Sequence, residues 1–191
     1  MKIIGVTGSS GAGKDTLCEI LENKYNAEIV DADKIAKELS KKGTMYLKSI
    51  VDCFGSKIVN RQGELNRKKL ASIIFEDEKK REELNKLTFI YVVDEIKRRI
   101  SKLKKDIIVV NAPLLFESNL NQICDFVIAI IADRDIQIER IMKRDNLTKE
   151  AAEKRLNMQN TDDFYIENAD YIIHNKGDIK DIEKQLKDIK I

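Results

Sequence analysis

The 191-residue sequence has no tryptophan, one histidine, one proline and three cysteines, and a net charge of only +2. Each shortage closes off a class of protein. Cys18, Cys53 and Cys124 are odd in number and widely spaced, with no CxxC pair, so neither a disulfide framework nor a zinc site is suggested. The expectation is three buried thiols in a reducing cytoplasm. The 35 basic residues nearly cancel the 33 acidic ones, which gives no electrostatic support for a nucleic-acid or membrane partner. No apolar run approaches the ~20 residues of a membrane span. The apolar start, Ile3-Ile4-Gly5-Val6, is shorter than the about 7–15 residues of a signal-peptide core. A cytoplasmic protein, monomeric or weakly homo-oligomeric, is expected. His174, the lone histidine, ends an apolar segment and reads as a packing or hydrogen-bonding residue rather than a catalyst.

What is present is a dense, balanced charge, 36% of residues, on a 42% apolar chain, which argues against disorder. No repeat and no Gly/Ser- or Pro-rich linker divides it, and ~150 residues per domain makes one domain the natural reading. Short apolar runs at Ile3-Ile4-Gly5-Val6, Glu28-Ile29-Val30, Ile107 to Val110, Phe126 to Ile131 and Tyr171-Ile172-Ile173 read as strands. They are continuous rather than alternating, as in a parallel sheet covered on both faces. Between them lie helical spacings: Leu84, Leu87, Tyr91, Ile96, Ile100 and Leu103 mark one stripe over residues 78–104, and Ile179, Ile182, Leu186 and Ile189 mark the last helix. Alternation of this kind predicts an α/β fold with a five-stranded parallel sheet flanked by helices. The core is expected over residues 1–33 and 106–191. Residues 34–105 hold only helical patterns around the turn Val59-Asn60-Arg61-Gln62-Gly63, and read as a helical insertion for a second substrate.

Gly8-Ser9-Ser10-Gly11-Ala12-Gly13-Lys14 follows the first strand directly and precedes a helical pattern. This is GxxxxGK in the strand–loop–helix setting of a phosphate-binding loop. Glycines let backbone N–H groups turn toward phosphate oxygens, the helix N-terminus adds positive dipole, and Lys14 supplies a point charge for the β- and γ-phosphates. ATP with Mg²⁺ is the implied nucleotide. The hydroxyl residue expected after the lysine is displaced by one: Asp15 comes first, then Thr16. Either can serve the metal, Asp15 as an oxygen ligand or Thr16 by its hydroxyl, with Asp15 then simply favoured by the helix dipole.

Asp31-Ala32-Asp33 closes the second strand, where open α/β sheets place ligands. One acid is expected to cap the following helix and the other to orient an acceptor hydroxyl and take its proton. Arg140 and Arg144 are four apart, hence on one helix face, as two phosphate-binding arginines would need. Each also has acidic neighbours, the pattern of a solvated face. The basic cluster from Lys97 to Lys105 continues an amphipathic helix and reads as solvated too. Ile107 to Val110 leads into Asn111-Ala112-Pro113 rather than an acid, which favours a kinase over a regulatory ATPase.

In this ordered set the chain resembles the dephospho-CoA kinase family. The resemblance rests on Gly5-Val6-Thr7-Gly8, Val30-Asp31-Ala32-Asp33, Gly63 to Arg67 with Leu70 and Phe75, Ala112 to Glu117, Arg140 with Arg144-Asp145, Arg155 and Gln159, and Ala169 to Asn175. It implies phosphorylation of the 3′-hydroxyl of dephospho-CoA by a P-loop kinase with a helical acceptor-binding insertion and a lid over residues 135–159. Carried over, Asp33 is the base and Lys14 the γ-phosphate ligand. Gly11, Ala12, Gly13, Lys14, Asp15 and Thr16 line the ATP phosphates, with Asn175 at the adenine-side turn. Arg140 and Arg144 are lid arginines; Arg67, Leu115 and Glu117 lie on the acceptor side. The sequence departs from the family at Ser9, at Asp15, at Thr88-Phe89 in place of a His-Pro pair, and around Asp163 to Tyr165.

Overall fold

The computed structural model describes residues 1–191. Its five strands are β1 (Lys2–Thr7), β2 (Glu28–Asp31), β3 (Ile107–Asn111), β4 (Phe126–Ile131) and β5 (Tyr171–His174), in the order β2-β3-β1-β4-β5. β1 runs parallel to β3, with Ile4 opposite Val109, and to β4, with Val6 opposite Ile128; β4 pairs in parallel with β5. β1 is central, and the chain leaves it toward β2 and β3 before crossing to β4 and β5. Ligands of open sheets bind beyond the carboxyl ends of the strands where such connections diverge.

The central strands β1, β3 and β4 are Ile/Val-rich and largely buried on both faces, and in β4 every residue after Phe126 is buried; the edge strands β2 and β5 are more open. Helix α1 (Lys14–Tyr25) covers the sheet with Leu17, Cys18, Ile20 and Leu21, and stops at Asn26, which takes the left-handed conformation at φ 53°. The C-terminal helix (Ile179–Leu186) adds Ile182 and Leu186 to the same core as Ile4, Val6, Ile128 and Ile130. Helices Arg134–Asp145 and Lys149–Asn157 form a satellite core of Ile138, Ile141, Ala152 and Leu156. No helix is long and apolar enough to cross a membrane.

The chain divides into two compact units, one of Met1–Val30 with Lys104–Ile191 and one of Asp31–Leu103. The second unit is helical: α2 (Ala32–Leu39), α3 (Met45–Phe54), α4 (Arg67–Glu76) and α5 (Glu78–Ile100). In chain order the helices after it are α6 (Arg134–Asp145), α7 (Lys149–Asn157), α8 (Asp162–Asn168) and α9 (Ile179–Leu186). The helical unit packs Tyr46, Ile50, Ile58 and Leu70 against Leu84, Leu87 and Tyr91. Thr88, one of the departures from the family pattern, shares a 2.8 Å hydrogen bond with the Tyr46 hydroxyl, so it has become a polar tie inside this small core. The expected turn is a tight one: Val59 bridges Leu65, and the Asn60 Oδ1 accepts from the backbone N–H groups of Gln62 and Glu64 at 3.0 and 2.9 Å. The basic end of α5 is neutralised locally. Arg98 and Arg99 both donate to Glu95, holding its carboxyl down at about 2, and Arg99 reaches Glu38 as well.

One expectation fails. Cys53 is exposed, because the α3 face that packs inward runs through Tyr46, Ile50 and half-buried Phe54, and Cys53 lies off that stripe. Cys124 is partly buried, and burial, followed by Asp125 and Asp170, pushes its thiol up to about 12. A thiol reagent at pH 8 should therefore modify Cys53 first in the folded protein and reach Cys124 only after denaturation. Mass-mapped labelling with Cys124 modified as fast as Cys53 would contradict this burial.

Candidate active site

The loop after β1 runs from Gly8 to Gly13, and α1 begins at Lys14. Gly13 immediately precedes the helix at φ 109° and ψ 27°, a left-handed conformation that side chains disfavour. A Cβ there would also lie 2.2 Å from the Asn175 side-chain nitrogen. Gly11, at φ 77°, is hemmed in by α6, since its Cβ would lie 2.7 Å from the Gln137 carbonyl oxygen. No side chain caps α1, so its first amides and its dipole are presented to whatever the loop holds. The Lys14 ammonium folds back to donate to the Gly8 and Ser9 carbonyls at 2.7 and 3.2 Å.

Successive loop residues are each gripped from outside the loop. Gln137 Nε2 donates to Ser9 Oγ at 2.6 Å. The Ser10 N–H donates to Gln159 Oε1 at 2.8 Å, and Gln159 Nε2 returns a bond to Ser10 Oγ at 3.1 Å. Arg140 Nη1 donates to the Gly11 carbonyl at 2.9 Å, and Asn175 Nδ2 to the Ala12 carbonyl at 2.7 Å. Gln137 and Arg140 are three apart on α6 and share a face, so one helix holds two of these points. Beside Ser9 lies a cavity of about 390 Å³ lined by Arg134, Gln137, Gln159, Asn160 and Asp162 among others.

Several expected site residues take other positions. Arg140, expected among the lid arginines, spends its guanidinium on loop carbonyls, with the Asn175 Oδ1 a further acceptor at 3.5 Å. Asn175, expected at the adenine-side turn, is 4% exposed, and its oxygen also accepts from the Gly177 N–H at 2.9 Å. It braces the loop from beneath. Leu115, expected on the acceptor side, is fully buried; its side chain fills the space left by Gly5, where a Cβ would lie 3.0 Å from it. Leu115 is a core residue. Glu117 is exposed in a turn and accepts from Asn160 Nδ2 at 2.8 Å. Arg144 is 54% exposed along its side chain and forms a bidentate pair with Asp145, both bonds at 2.9 Å; Arg155 reaches the same carboxylate.

In the helical unit, Asp31 is the acid that caps: its side chain accepts from the Lys34 N–H at 2.8 Å and opens α2. Asp33 lies in the first turn of α2, exposed. Arg67 donates to Ser40 Oγ at 2.5 Å. Asp15 and Thr16 occupy the first turn of α1, Asp15 exposed and Thr16 partly so. Their carboxylate and hydroxyl oxygens are the hard donors Mg²⁺ takes, in the small number it needs when phosphates supply the rest. Gln137 went unnoticed in the sequence. Its one signal is that it is the single uncharged polar residue of α6, three residues before Arg140.

A family model described as dephospho-CoA kinase matches residues 2–181. The chain belongs to the dephospho-CoA kinase family. It is 36% identical over 184 residues to a dephospho-CoA kinase of Fusobacterium nucleatum, covering 96% of this chain and 94% of that one. A solved dephospho-CoA kinase from Campylobacter jejuni matches with a TM-score of 0.68 and 30% identity over 98% of this chain and 95% of that one. A shikimate kinase from Acinetobacter baumannii shares the fold alone, with a TM-score of 0.59 and 16% identity over 98% of this chain and 90% of that one.

The Asp145 carboxyl is held below its ordinary 3.8, first by the hydrogen bond from Arg144 and further by Arg155. A depressed acid contributes stability above its unfolded value and loses it as pH falls through the folded one. Asp145→Asn should therefore unfold at lower urea than the parent at pH 7, with the gap closing as pH drops below about 4. A gap that persists unchanged in acid would mean that the charge pairing contributes nothing.

Proposed function

We propose that the protein transfers the γ-phosphoryl group of ATP to the ribose 3′-hydroxyl of dephospho-CoA, yielding CoA and ADP. What carries the reading is the phosphate loop at the carboxyl end of β1, with Lys14 folded over it, in a chain of this family. The backbone N–H groups from Gly11 to Thr16 would receive the ATP phosphates, and Lys14 would follow the β- and γ-oxygens as negative charge shifts between them. The acceptor oxygen attacks the γ-phosphorus, the bond to the β-bridging oxygen breaks, and ADP leaves with that electron pair. Asp33 takes the hydroxyl proton. The cap position at Asp31 supports that assignment, since the helix-start duty already belongs to another acid.

Mg²⁺ carried in with ATP would be held through Asp15 and Thr16, and would neutralise charge on the β- and γ-oxygens. Arg144, pre-oriented by Asp145, is assigned to the transferring phosphoryl group; Arg140 acts one step back, by shaping the loop. The helical unit, including Arg67, is assigned to the acceptor, with Glu117 on the acceptor side as well. Residues 135–159 remain the proposed lid.

The test is ADP release measured with dephospho-CoA, with common nucleoside monophosphates and with no acceptor, for the parent and for Asp33→Asn. The parent should turn over only with dephospho-CoA. Asp33→Asn should lose about 10²–10⁴-fold in kcat, the range for a general base, while still binding ATP. Turnover without acceptor would support a regulatory ATPase instead, and an unimpaired Asp33→Asn would remove Asp33 as the base.

A further inference from the structure

We infer that Gln137 is a positioning residue for phosphoryl transfer, acting on Lys14 through Ser9. The inference rests on the reading of this loop as an ATP site. Ser9 is 4% exposed and Gln137 5%, and their side chains meet at 2.6 Å. Buried polar atoms must be paired, and in a low-dielectric setting such a bond fixes its partners more firmly than one at the surface. The same Ser9 offers its carbonyl oxygen to the Lys14 ammonium, 3.2 Å away. Fixing the Ser9 side chain therefore fixes one of the carbonyls that orient the lysine. The neighbouring carbonyl, Gly8, receives the ammonium at 2.7 Å, so the two together set where the cation rests.

Gln137 is also joined to the loop by shape. Its backbone carbonyl stands where a side chain on Gly11 would have to go. The residue thus touches the loop at two places, by backbone at Gly11 and by carboxamide at Ser9. Its contacts with the loop are to Ser9 and Gly11, so the effect assigned to it runs through the lysine and the loop backbone. Its side chain lines the 390 Å³ cavity with Gln159, whose amide holds Ser10 in the same manner.

The test is a double-mutant cycle of Gln137→Leu, Ser9→Ala and the double variant. Three quantities are measured: kcat/KM for ATP at saturating dephospho-CoA, KM for dephospho-CoA, and ATP affinity by equilibrium titration without acceptor. Thermal unfolding midpoints are recorded alongside. Each single variant should lose about tenfold in kcat/KM for ATP, with the acceptor KM unchanged and the double variant no worse than the poorer single. Ser9→Ala removes one atom only and decides the matter should Gln137→Leu fail to fold. Variants that lower the unfolding midpoint while keeping kcat/KM for ATP within about twofold would overturn the inference, as would losses that multiply in the double. Should the parent not use dephospho-CoA, the acceptor assignment fails on its own. The ATP titration then still decides the pair: a shared, non-additive weakening supports it, and no weakening or an additive one overturns it.

Discussion

The contact between the Asn175 carboxamide and the Ala12–Gly13 backbone is the constraint on which the site depends. Gly13, at φ 109°, holds a turn that side chains rarely adopt, and the space a side chain would need is filled by the Asn175 amide. That amide lies just beyond β5 and donates to the Ala12 carbonyl. The loop is therefore shaped by the sheet two strands away from the one it follows. The carbonyls of Gly11 and Ala12 are tied to Arg140 and Asn175, while the Ala12 N–H donates inside the loop to the Ser9 carbonyl at 3.3 Å. The proposed ATP phosphates would meet a loop whose shape follows from where those carbonyls are tied down.

The strands were legible because each contains consecutive Ile or Val residues, and in the central β1, β3 and β4 a run buried on both faces needs no periodicity to be recognised. The limits of α5 were less so. The stripe through Leu103 extends the apolar pattern past Ile100, but Lys102 and Leu103 tighten into turn-type bonds, to the Arg99 and Ile100 carbonyls. Apolar spacing records which side faces inward; it does not record when the helix stops. Asp31 and Asp33 could be read as one cap and one other acid, and geometry alone tells which is which.

The loop motif was visible in the sequence, whereas the side chains that hold it were not. Gln137 meets Ser9 across 128 residues and Asn175 meets Ala12 across 163, and no local pattern encodes contacts of that range. Leu115 is the converse case: the family resemblance implies an acceptor-side position, and burial places its side chain in the core against Gly5 of the central strand. The near-cancelling charge is similarly uninformative in total. Arg98, Arg99 and Glu95 stabilise a helix surface, while Lys14 and Arg140 are spent on loop carbonyls.

The claim that the loop owes its shape to these external ties is tested most directly by titrating ATP into Asn175→Ala. If the account holds, that variant keeps the parent's circular-dichroism spectrum and binds ATP at least about tenfold more weakly, because the Ala12 carbonyl has lost its buried partner. A folded Asn175→Ala protein with the parent's ATP affinity would contradict it.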